Sequence, residues 1–261
     1  TTMLKQKPFK ICVVSGKGGT GKTFIAANLA MMFDSVTYVD ADVEEPNGFL
    51  FLNPSNIHTT TIQQKTASIN NAKCQHCNKC IEICKFNAIT RIHQHIMLDP
   101  LLCHGCGVCA YVCPSNAITM RQSPTGHIKK GIINQNRLAF EGEVLPGILN
   151  PMSVLKALLK KSHASSDLLI IDSAPGSGCT TIETIQASDL VLVVGEPTPY
   201  GLDNFKMILD LILTLNKPFL VIINKILSPT NLIERYCKEK NITPLIQIPY
   251  DDMISKVISN G

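Results

Sequence analysis

Short apolar runs alternate with stretches of helical character along most of the chain. Each run holds four or five residues and is rich in Val, Ile and Leu, which is typical of buried strands. The predicted strands are Ile11–Val14, Val36–Asp40, Leu168–Asp172, Leu190–Val194, Phe219–Ile223 and Leu245–Ile248. The predicted helices are Phe24–Phe33, Thr180–Ser188, Asn204–Leu215, Asn231–Lys240 and Asp252–Ser259. This alternation predicts an α/β fold whose mostly parallel sheet is covered by helices on both faces.

One large interruption, from about residue 53 to residue 149, breaks this alternation. We expect residues 66–121 to form a small inserted α+β domain and residues 122–149 to form a β-ribbon that returns the chain. The ribbon is predicted from the alternating segment Ile128–Val144, and a Lys-rich helix follows it at Met152–Lys161. Residues 1–53 and 150–261 would then make one discontinuous α/β domain.

Composition and charge exclude several classes of protein. The chain has 261 residues, of which 45% are apolar and 17% are charged, as expected of a soluble protein with one large domain and a small insert. No run approaches the roughly 18 apolar residues of a membrane span, and the first ten residues lack a signal-type apolar core, so we expect a cytoplasmic location. The net charge of +4 is mild and dispersed. We therefore expect no nucleic acid and no membrane among the partners.

Eight of the 11 cysteines form two copies of the spacing C-x2-C-x2-C-x3-C. The second copy starts 29 residues after the first, and Asn87–Thr90 is repeated as Asn116–Thr119, which indicates an internal duplication. This spacing suits a cubane iron-sulfur cluster, whereas a zinc ribbon needs two cysteine pairs and disulfides need an oxidising compartment. We predict two [4Fe-4S] clusters, with zinc binding and disulfides as the alternatives. The cysteines are Cys74, Cys77, Cys80 and Cys84, then Cys103, Cys106, Cys109 and Cys113.

The duplicated spacing resembles that of bacterial two-cluster ferredoxins, in which the fourth cysteine of each run binds the other run's cluster. The resemblance implies that cluster 1 takes Cys74, Cys77, Cys80 and Cys113. It implies that cluster 2 takes Cys103, Cys106, Cys109 and Cys84. The second run ends in Cys113-Pro114, as that family's does, but Lys85 replaces the proline of the first run. This replacement leaves the ligands intact and is expected to alter the exposure and potential of one cluster.

A predicted strand, a glycine-rich loop and a predicted helix follow one another near the N-terminus. The loop Ser15–Thr23 matches G-x4-G-K-S/T, in which backbone N–H groups surround phosphates at a helix N-terminus. By its type, Lys22 would pair with the β- and γ-phosphates, and Thr23 would offer its hydroxyl to Mg²⁺. A glycine-rich turn with no ligand is the alternative. The predicted nucleotide-binding residues of the loop are Gly16, Lys17, Gly18, Gly19, Thr20, Gly21, Lys22 and Thr23.

The lysine at position 17, directly after the first glycine, gives the loop a form that resembles the deviant Walker motif of the MinD, ParA, Mrp and nitrogenase iron protein class. The match covers nearly the whole chain and is most similar to MinD-type ATPases that carry an inserted ferredoxin domain. The resemblance implies a P-loop NTPase fold, binding of ATP or ADP with Mg²⁺, and an ATP-dependent homodimer or related heterodimer. In such a dimer Lys17 would reach the phosphates of the partner subunit. A lysine at a position that tolerates many residues is the alternative.

Carboxylates follow two of the predicted strands. Asp40 and Asp42 end the second strand and Asp172 ends the third, and the carboxyl ends of parallel strands beside a P-loop face the phosphates. The resemblance implies that Asp40 and Asp172 belong to the Mg²⁺ site and that Asp42 orients the attacking water. Lys17, Lys22 and Asp42 are therefore the candidate catalytic residues. A role for Asp42 in capping a helix or turn is the alternative.

Three further positions follow from the same resemblance. The loop Ser173–Gly178 resembles the second switch, which senses the γ-phosphate. Asn224, Lys225 and Pro249 resemble residues that contact adenine, although loop-forming residues at strand ends share this pattern. Cys179 follows the switch loop, where the nitrogenase iron protein places a cluster ligand. A third cluster, a transient metal contact and helix-start packing all remain open for Cys179.

Together these modules predict an ATPase that couples nucleotide state to electron transfer through two clusters. The expected partner is a redox or metal-cofactor assembly protein, or an enzyme that requires reductive activation. The alternative is an ATP-dependent scaffold or carrier that acquires clusters or metal and hands them on, as Mrp-type carriers are thought to do. A positioning switch such as MinD or ParA would need a membrane helix or a DNA-binding surface that the sequence does not show.

Overall fold

The predicted alternation of strands and helices is present in the computed structural model, which describes residues 7–163, 166–228, 231–254 and 256. The strands are β1 Phe9–Val14, β2 Val36–Ala41, β3 Ser55–Ile69, β4 Ile89–Ile92, β5 His95–Leu98, β6 Ile118–Asn134, β7 Arg137–Val144, β8 Leu168–Ser173, β9 Leu190–Gly195, β10 Phe219–Ile226 and β11 Ile246–Pro249. The α-helices are α1 Lys22–Met31, α2 Gly48–Leu52, α3 Lys79–Ile83, α4 Val108–Tyr111, α5 Met152–Ser162, α6 Cys179–Ala187, α7 Pro199–Thr214 and α8 Leu232–Glu239. Of the helix predicted at Asp252–Ser259, residue 255 and residues 257–259 lie outside the described residues.

Nine strands form one sheet in the order β11-β10-β9-β1-β8-β2-β7-β6-β3. From β11 to β7 the neighbouring strands run parallel. All residues of β2, and all but the first of β8 and β9, are buried, so both faces of the central sheet are covered. The predicted α/β fold with a mostly parallel sheet is confirmed.

Three strands extend the sheet beyond β2. β6 and β7 are separated by two residues, a connection that only antiparallel neighbours can use. Hydrogen bonds join residue 55 to 132, residue 62 to 125 and residue 70 to 117, so β3 runs antiparallel to β6. The segment Ile128–Val144, predicted to be a ribbon, falls on β6 and β7. The sequence pattern does not predict β3, because the strand is rich in Thr and Gln and its first half is largely exposed.

The chain divides into two units. The larger unit takes in the residues up to Thr59, Ile128–Glu143, and the residues from Leu155 onward, and the smaller unit takes in Thr60–His127 and Val144–Val154. β3, β6 and α5 each begin in one unit and end in the other. The predicted domain boundaries at residues 53, 66, 121 and 149 stay a prediction.

The core of the larger unit sets the position of its loops. Helix α1 presents Ala26, Ala27 and Ala30 to the sheet, and these small side chains pack with Val13 of β1 and Ile170 of β8. Because parallel strands end at one edge of a sheet, the loops after β1, β2, β8, β9 and β10 lie along the same edge. The glycine-rich loop, Asp42 and Asp172 lie at that edge.

The smaller unit contains a two-stranded antiparallel sheet, β4 and β5, and the short helices α3 and α4. Its apolar core is built from Ala67, Cys80, Ile89, Ile96 and Ile118. The repeat in the sequence is also a repeat in backbone conformation, since equivalent positions of the two cysteine runs share a positive φ. These pairs are His76 with Gly105, Asn78 with Gly107, and Asn87 with Asn116.

None of the helices in the described part of the chain has the length and hydropathy that a membrane span requires.

Candidate functional site

The glycine-rich loop between β1 and α1 is closely packed at its two ends. A Cβ atom added at Gly16 would lie 2.0 Å from the main-chain oxygen of Asn204. Gly21 has a φ of +88°, and a Cβ atom added there would lie 2.3 Å from Nδ2 of Asn224. Only glycine fits these two positions, so the course of the loop is set by α7 on one side and β10 on the other.

The middle of the loop is open. A Cβ atom added at Gly18 or Gly19 would meet no atom within 4 Å, and Gly19 has a φ of +77°. The buried hydroxyl of Thr20 has no hydrogen-bond partner among the described residues. Unoccupied main-chain surface, a partnerless donor and the N-terminus of α1 at Lys22 are the features of a phosphate-binding loop. Thr23 follows as the second residue of α1 and is half-buried.

Two residues at the end of β10 hold the loop from the other side. Asn224 donates from Nδ2 to the carbonyl oxygen of Thr20 at 2.7 Å, and Lys225 donates from Nζ to the carbonyl oxygen of Gly19 at 2.6 Å. Lys225 and Tyr250 line a cavity of about 310 Å³. Pro249, the residue before Tyr250, ends β11. The predicted adenine-contacting residues are therefore placed at the loop or next to this cavity.

A buried carboxylate faces the lysine of the loop. Asp172, at the end of β8, is fully buried, and its Oδ1 pairs with Nζ of Lys22. The other oxygen accepts a hydrogen bond of 2.9 Å from the Tyr38 hydroxyl. Burial, together with the charge of Asp172, raises the pKa of Tyr38, so the phenol keeps the proton that it donates. Both oxygens of Asp172 thus have buried donors.

Asp40 is the register partner of Asp172 on the neighbouring strand β2 and is also fully buried. Its Oδ1 accepts from the N–H of Asp42 at 3.1 Å, and its Oδ2 accepts from the N–H groups of Asn47 and Gly48 at 2.9 and 2.7 Å. Burial, followed by the charge of Asp172, raises the pKa of the Asp40 carboxyl to about 7 despite these donors. Asp40 therefore anchors the loop of residues 42–47 at the site.

Asp42 lies at the start of that loop and is only half-buried. Burial raises the pKa of its carboxyl to about 6, and the charge of Lys22 opposes the shift. A carboxylate that is part-exposed, close to Lys22 and near neutral in its pKa is suited to hold a water molecule.

Lys17 does not extend into solvent. Its Nζ lies 2.7 Å from Oε2 of Glu196, with 20% and 17% of the two side chains exposed. The same ammonium group lies 5.9 Å from the centre of the Tyr200 ring. Lys17 is thus held within its own chain by the segment that follows β9.

The loop after β8 contacts the glycine-rich loop. The N–H of Gly176 donates to the carbonyl oxygen of Ser15 at 2.9 Å, and the Thr181 hydroxyl donates to the carbonyl oxygen of Ala174 at 3.1 Å. Cys179, the first residue of α6, is exposed.

Four cysteines line a cavity of about 250 Å³ in the smaller unit. Three belong to the second run, Cys103, Cys106 and Cys109, and the fourth is Cys84, the last cysteine of the first run. The other lining residues are mostly apolar, among them Ile89. This set is the one predicted for cluster 2.

A second and much narrower cavity, of about 10 Å³, is lined by the other four cysteines. They are Cys74, Cys77, Cys80 and Cys113. The Sγ of Cys74 accepts from the N–H of His76 at 3.4 Å, and the Sγ of Cys113 accepts from the N–H of Ala117 at 3.3 Å. The structure thus groups the cysteines as predicted for cluster 1, with two sulfurs that already accept backbone hydrogen bonds.

The two histidines inside the cysteine runs have different surroundings. His104 stacks on Phe86, with ring centroids 3.8 Å apart, and its Nδ1 lies 3.3 Å from Nδ2 of Asn150. The buried Nδ1 of His76 has no partner in the described structure. Among the described residues, no three His, Cys, Asp or Glu side chains converge as ligands of a single metal ion.

Sequence reasoning missed two residues that complete the site, Tyr38 and Glu196. A local signal existed for Tyr38, which lies two residues before Asp40 on a fully buried strand and hence projects from the same face. Glu196 follows β9 and had no such signal, because its contact with Lys17 joins residues that are distant in the sequence.

A family profile and two sequence relatives match nearly the whole chain. The family profile described as the CobQ/CobB/MinD/ParA nucleotide binding domain matches residues 11–261. An uncharacterised protein of Methanocaldococcus jannaschii is 32% identical over 257 residues, which cover 96% of this chain and 88% of that protein. A second uncharacterised protein of the same organism is 25% identical over 268 residues, which cover 93% of this chain and 93% of that protein.

Solved structures share the fold at low sequence identity. The septum site-determining protein MinD of Pyrococcus horikoshii, complexed with Mg-ADP, matches with a TM-score of 0.56 at 17% identity and covers 96% of this chain and 85% of its own. A ParA family ATPase of Chlorobium tepidum matches with a TM-score of 0.57 at 16% identity, over 96% and 87% of the two chains. These similarities support the P-loop α/β fold.

The packing of the glycine-rich loop can be tested with Gly21→Ala. We expect the free energy of unfolding of the nucleotide-free protein to fall by about 1–3 kcal/mol, because alanine at a positive φ is strained and its Cβ would displace the Asn224 amide. Gly18→Ala is the matched control and should change stability by less than about 1 kcal/mol, since its Cβ meets no atom. Urea denaturation measures both. Equal effects of the two substitutions would contradict the described packing.

Proposed function

The chain belongs to the CobQ/CobB/MinD/ParA nucleotide-binding family. We propose that it is a Mg²⁺-dependent ATPase. We further propose that it couples its nucleotide state to electron transfer through two [4Fe-4S] clusters. One observation carries the proposal. The same chain has a P-loop lysine directed at a buried carboxylate and two cavities that are each lined by four cysteines. The expected partner is a redox or metal-cofactor assembly protein.

The nucleotide phosphates fit the glycine-rich loop. Open space at Gly18 and Gly19, together with the partnerless Thr20 hydroxyl, offers donors to an anion. Lys22 is buried beside the loop and would exchange Asp172 for the β- and γ-phosphates.

The residues around the loop also fit Mg²⁺, which prefers oxygen ligands and retains several waters. Thr23 and Asp172 would be its ligands, Asp40 would belong to its immediate surroundings, and the ion would neutralise charge on the phosphates. The oxygens of Asp40 already accept three backbone N–H groups. Asp40 would therefore support the Mg²⁺ site indirectly, by anchoring the loop that follows it.

Hydrolysis requires a positioned water and compensation of the charge on the phosphates. Asp42, part-exposed next to Lys22, would orient the water. Lys17 would supply charge in trans within an ATP-dependent homodimer or related heterodimer. To do so, it must first leave Glu196 and Tyr200. Asn224, Lys225 and Pro249 would receive the adenine beside the 310 Å³ cavity.

The two cysteine sets fit clusters for chemical reasons. A cubane bound by four thiolates needs one cysteine at each iron, and each cavity gathers three cysteines of one run and the fourth of the other. When bound, each cluster would supply a site that accepts and releases one electron. The mostly apolar lining at cluster 2 and the backbone donors to Cys74 and Cys113 at cluster 1 are features that tune a cluster potential.

Coupling follows from the path of the chain. Nucleotide-dependent changes in P-loop proteins occur in the loops that sense the γ-phosphate. Here the loop after β2 leads through α2 into β3, and β3 continues into the smaller unit. A change at Asp40 or Asp42 therefore has a continuous covalent route, through α2 and β3, to the first cysteine run.

One observation favours a second function, that of a cluster carrier. Each cavity has one exposed cysteine, Cys77 in one and Cys106 in the other, and an exposed ligand is accessible to an acceptor thiol. A carrier would lose its iron to an apo-acceptor under anaerobic conditions. An electron-transfer protein would keep its iron through repeated cycles of reduction.

Lys22→Ala and Asp42→Asn test the ATPase assignment. Each should lower the rate of ATP hydrolysis by about 100-fold or more, because one removes charge at the phosphates and the other removes the group that orients the water. Iron content and cluster absorbance should stay at wild-type levels. Asp34→Asn, at an exposed position before β2, is the control and should hydrolyse ATP normally. Hydrolysis that persists in both site variants would defeat the assignment.

Paired cysteine substitutions test the ligand sets. The crossed arrangement predicts that Cys84→Ala combined with Cys103→Ala removes one cluster, leaving about four of about eight iron atoms per chain. Cys84→Ala combined with Cys74→Ala should remove both clusters. If each run instead binds its own cluster, the two double variants exchange results. Cys179→Ala should retain all the iron, and iron and sulfide analysis after anaerobic reconstitution measures each variant.

Anaerobic redox titration tests the coupling itself. We expect a non-hydrolysable ATP analogue with Mg²⁺ to shift the potential of at least one cluster by about 60 mV, a tenfold change in a one-electron equilibrium. The Lys22→Ala variant should show no shift. Potentials that are identical with and without nucleotide, in protein that demonstrably binds it, would exclude coupling. Loss of iron to an apo-acceptor in the same preparation would favour the carrier.

A further inference from the structure

A row of three carboxylates crosses the sheet at the nucleotide site. Asp172 on β8 is in register with Asp40 on β2, and Asp40 is in register with Glu141 on β7. All three are buried, with exposed fractions of 0%, 0% and 5%. Residues in register on parallel strands project from the same face, so the three carboxylates are neighbours. After burial, the charges of Asp172, Asp40 and Glu141 all raise the pKa of Tyr38, which places them around one hydroxyl.

A lysine stands at each end of this row. Lys22 pairs with Asp172, and Lys129 on β6 lies 3.0 Å from Oε1 of Glu141. Lys129 also lies 2.9 Å from Oε2 of Glu143, a residue that is 45% exposed. The ammonium group is thus shared between a buried carboxylate that belongs to the row and an exposed one that does not. Burial lowers the pKa of Lys129, but the hydrogen bonds and charges of Glu143 and Glu141 together outweigh it, so the pKa is raised and Lys129 remains charged.

The charge balance of the row depends on the nucleotide. Without phosphate, Lys22 neutralises Asp172. With phosphate bound, Lys22 would turn to the nucleotide, and Mg²⁺ would approach Asp172. Buried charges on neighbouring strands interact strongly, because the protein interior screens them poorly. Lys129, at the other end of the row, can pair with either Glu141 or Glu143. A change in the charge of the row can therefore shift Lys129 between these two carboxylates.

Lys129 also lies on the strand that reaches the cysteines. β6 begins at Ile118, which lines the cavity of cluster 1, and two residues later Met120 lines the cavity of cluster 2. The strand then enters the larger unit at Ile128, one residue before Lys129. One continuous strand therefore carries both the responsive cation and a wall of each cavity.

We propose that Lys129, shared between Glu141 and Glu143, is the positioning residue through which the nucleotide site acts on β6 and hence on the cysteine cavities. The inference rests on the proposed function and assigns its coupling to one ion-paired group. Lys129 is not among the residues that line the two cysteine cavities. Its loss should leave nucleotide binding intact and remove the response of the far end of β6.

Amide hydrogen exchange on the full-length chain tests this proposal, with a non-hydrolysable ATP analogue and Mg²⁺ as the probe. In the wild type we expect nucleotide binding to change the exchange rates of amides in residues 118–127 by about fivefold or more. Lys129→Met and Glu141→Gln should reduce this change to less than about twofold, while the Kd for the analogue stays within about threefold of wild type. Lys129→Arg should preserve the response, because it keeps the charge and the reach.

The neighbouring residue gives a matched control. Lys130 projects from the other face of β6, where its Nζ lies 5.7 Å from the centre of the Phe140 ring. Lys130→Met should respond as the wild type does. A Lys129→Met variant with a wild-type response would overturn the proposal, and so would a wild-type protein that binds the analogue without any change in residues 118–127. Neither turnover nor iron enters this measurement, so a failure of the proposed ATPase or clusters is detected separately.

Discussion

Two carboxylates buried side by side are the constraint on which the larger unit depends. Asp40 and Asp172 occupy neighbouring positions of adjacent strands and have no access to water. Burying unpaired charges costs several kcal/mol each, so every oxygen of the pair needs a donor. Lys22 and Tyr38 serve Asp172, and backbone N–H groups of the next loop serve Asp40. The glycine-rich loop, the start of α1 and the loop after β2 therefore assemble around one electrostatic requirement.

The central parallel strands β1, β2, β8, β9 and β10 were accessible from the sequence because each contains a short apolar run whose residues are mostly buried. β2 and β8, buried almost throughout, show this directly. β3 was not accessible, because a strand with one exposed face and many Thr and Gln residues lacks that pattern. The parallel pairing of β7 with β2 was equally hidden, since strand order depends on contacts between distant segments. Site residues within motifs, such as Lys22 and Asp172, were predictable, whereas Glu196 and Lys129 act through partners that no local pattern reveals.

The two cysteine runs show how a duplicated segment keeps its conformation while its residues change. Glycine at positions 105 and 107 adopts a positive φ without strain, but His76 and Asn78 adopt it at the equivalent positions of the first run. The buried Nδ1 of His76 and Oδ1 of Asn78 have no partner among the described residues. Strained backbone and unpaired polar atoms tend to persist where function requires them. The first run thus tolerates local costs that the second run avoids with glycine.

The boundaries between the smaller and the larger unit fall inside β3, β6 and α5. Many other small domains are instead connected to their neighbours by flexible loops. Excising it at the unit boundaries would truncate two strands of the nine-stranded sheet. The shortened β3 and β6 would leave an incomplete sheet edge beside β7. Unpaired N–H and C=O groups at such an edge promote aggregation. For the same reason, transfer of the smaller unit into a different ATPase would require that β3 and β6 be transferred with it. Separating the two units therefore requires cutting β3 and β6, which both belong to the nine-stranded sheet.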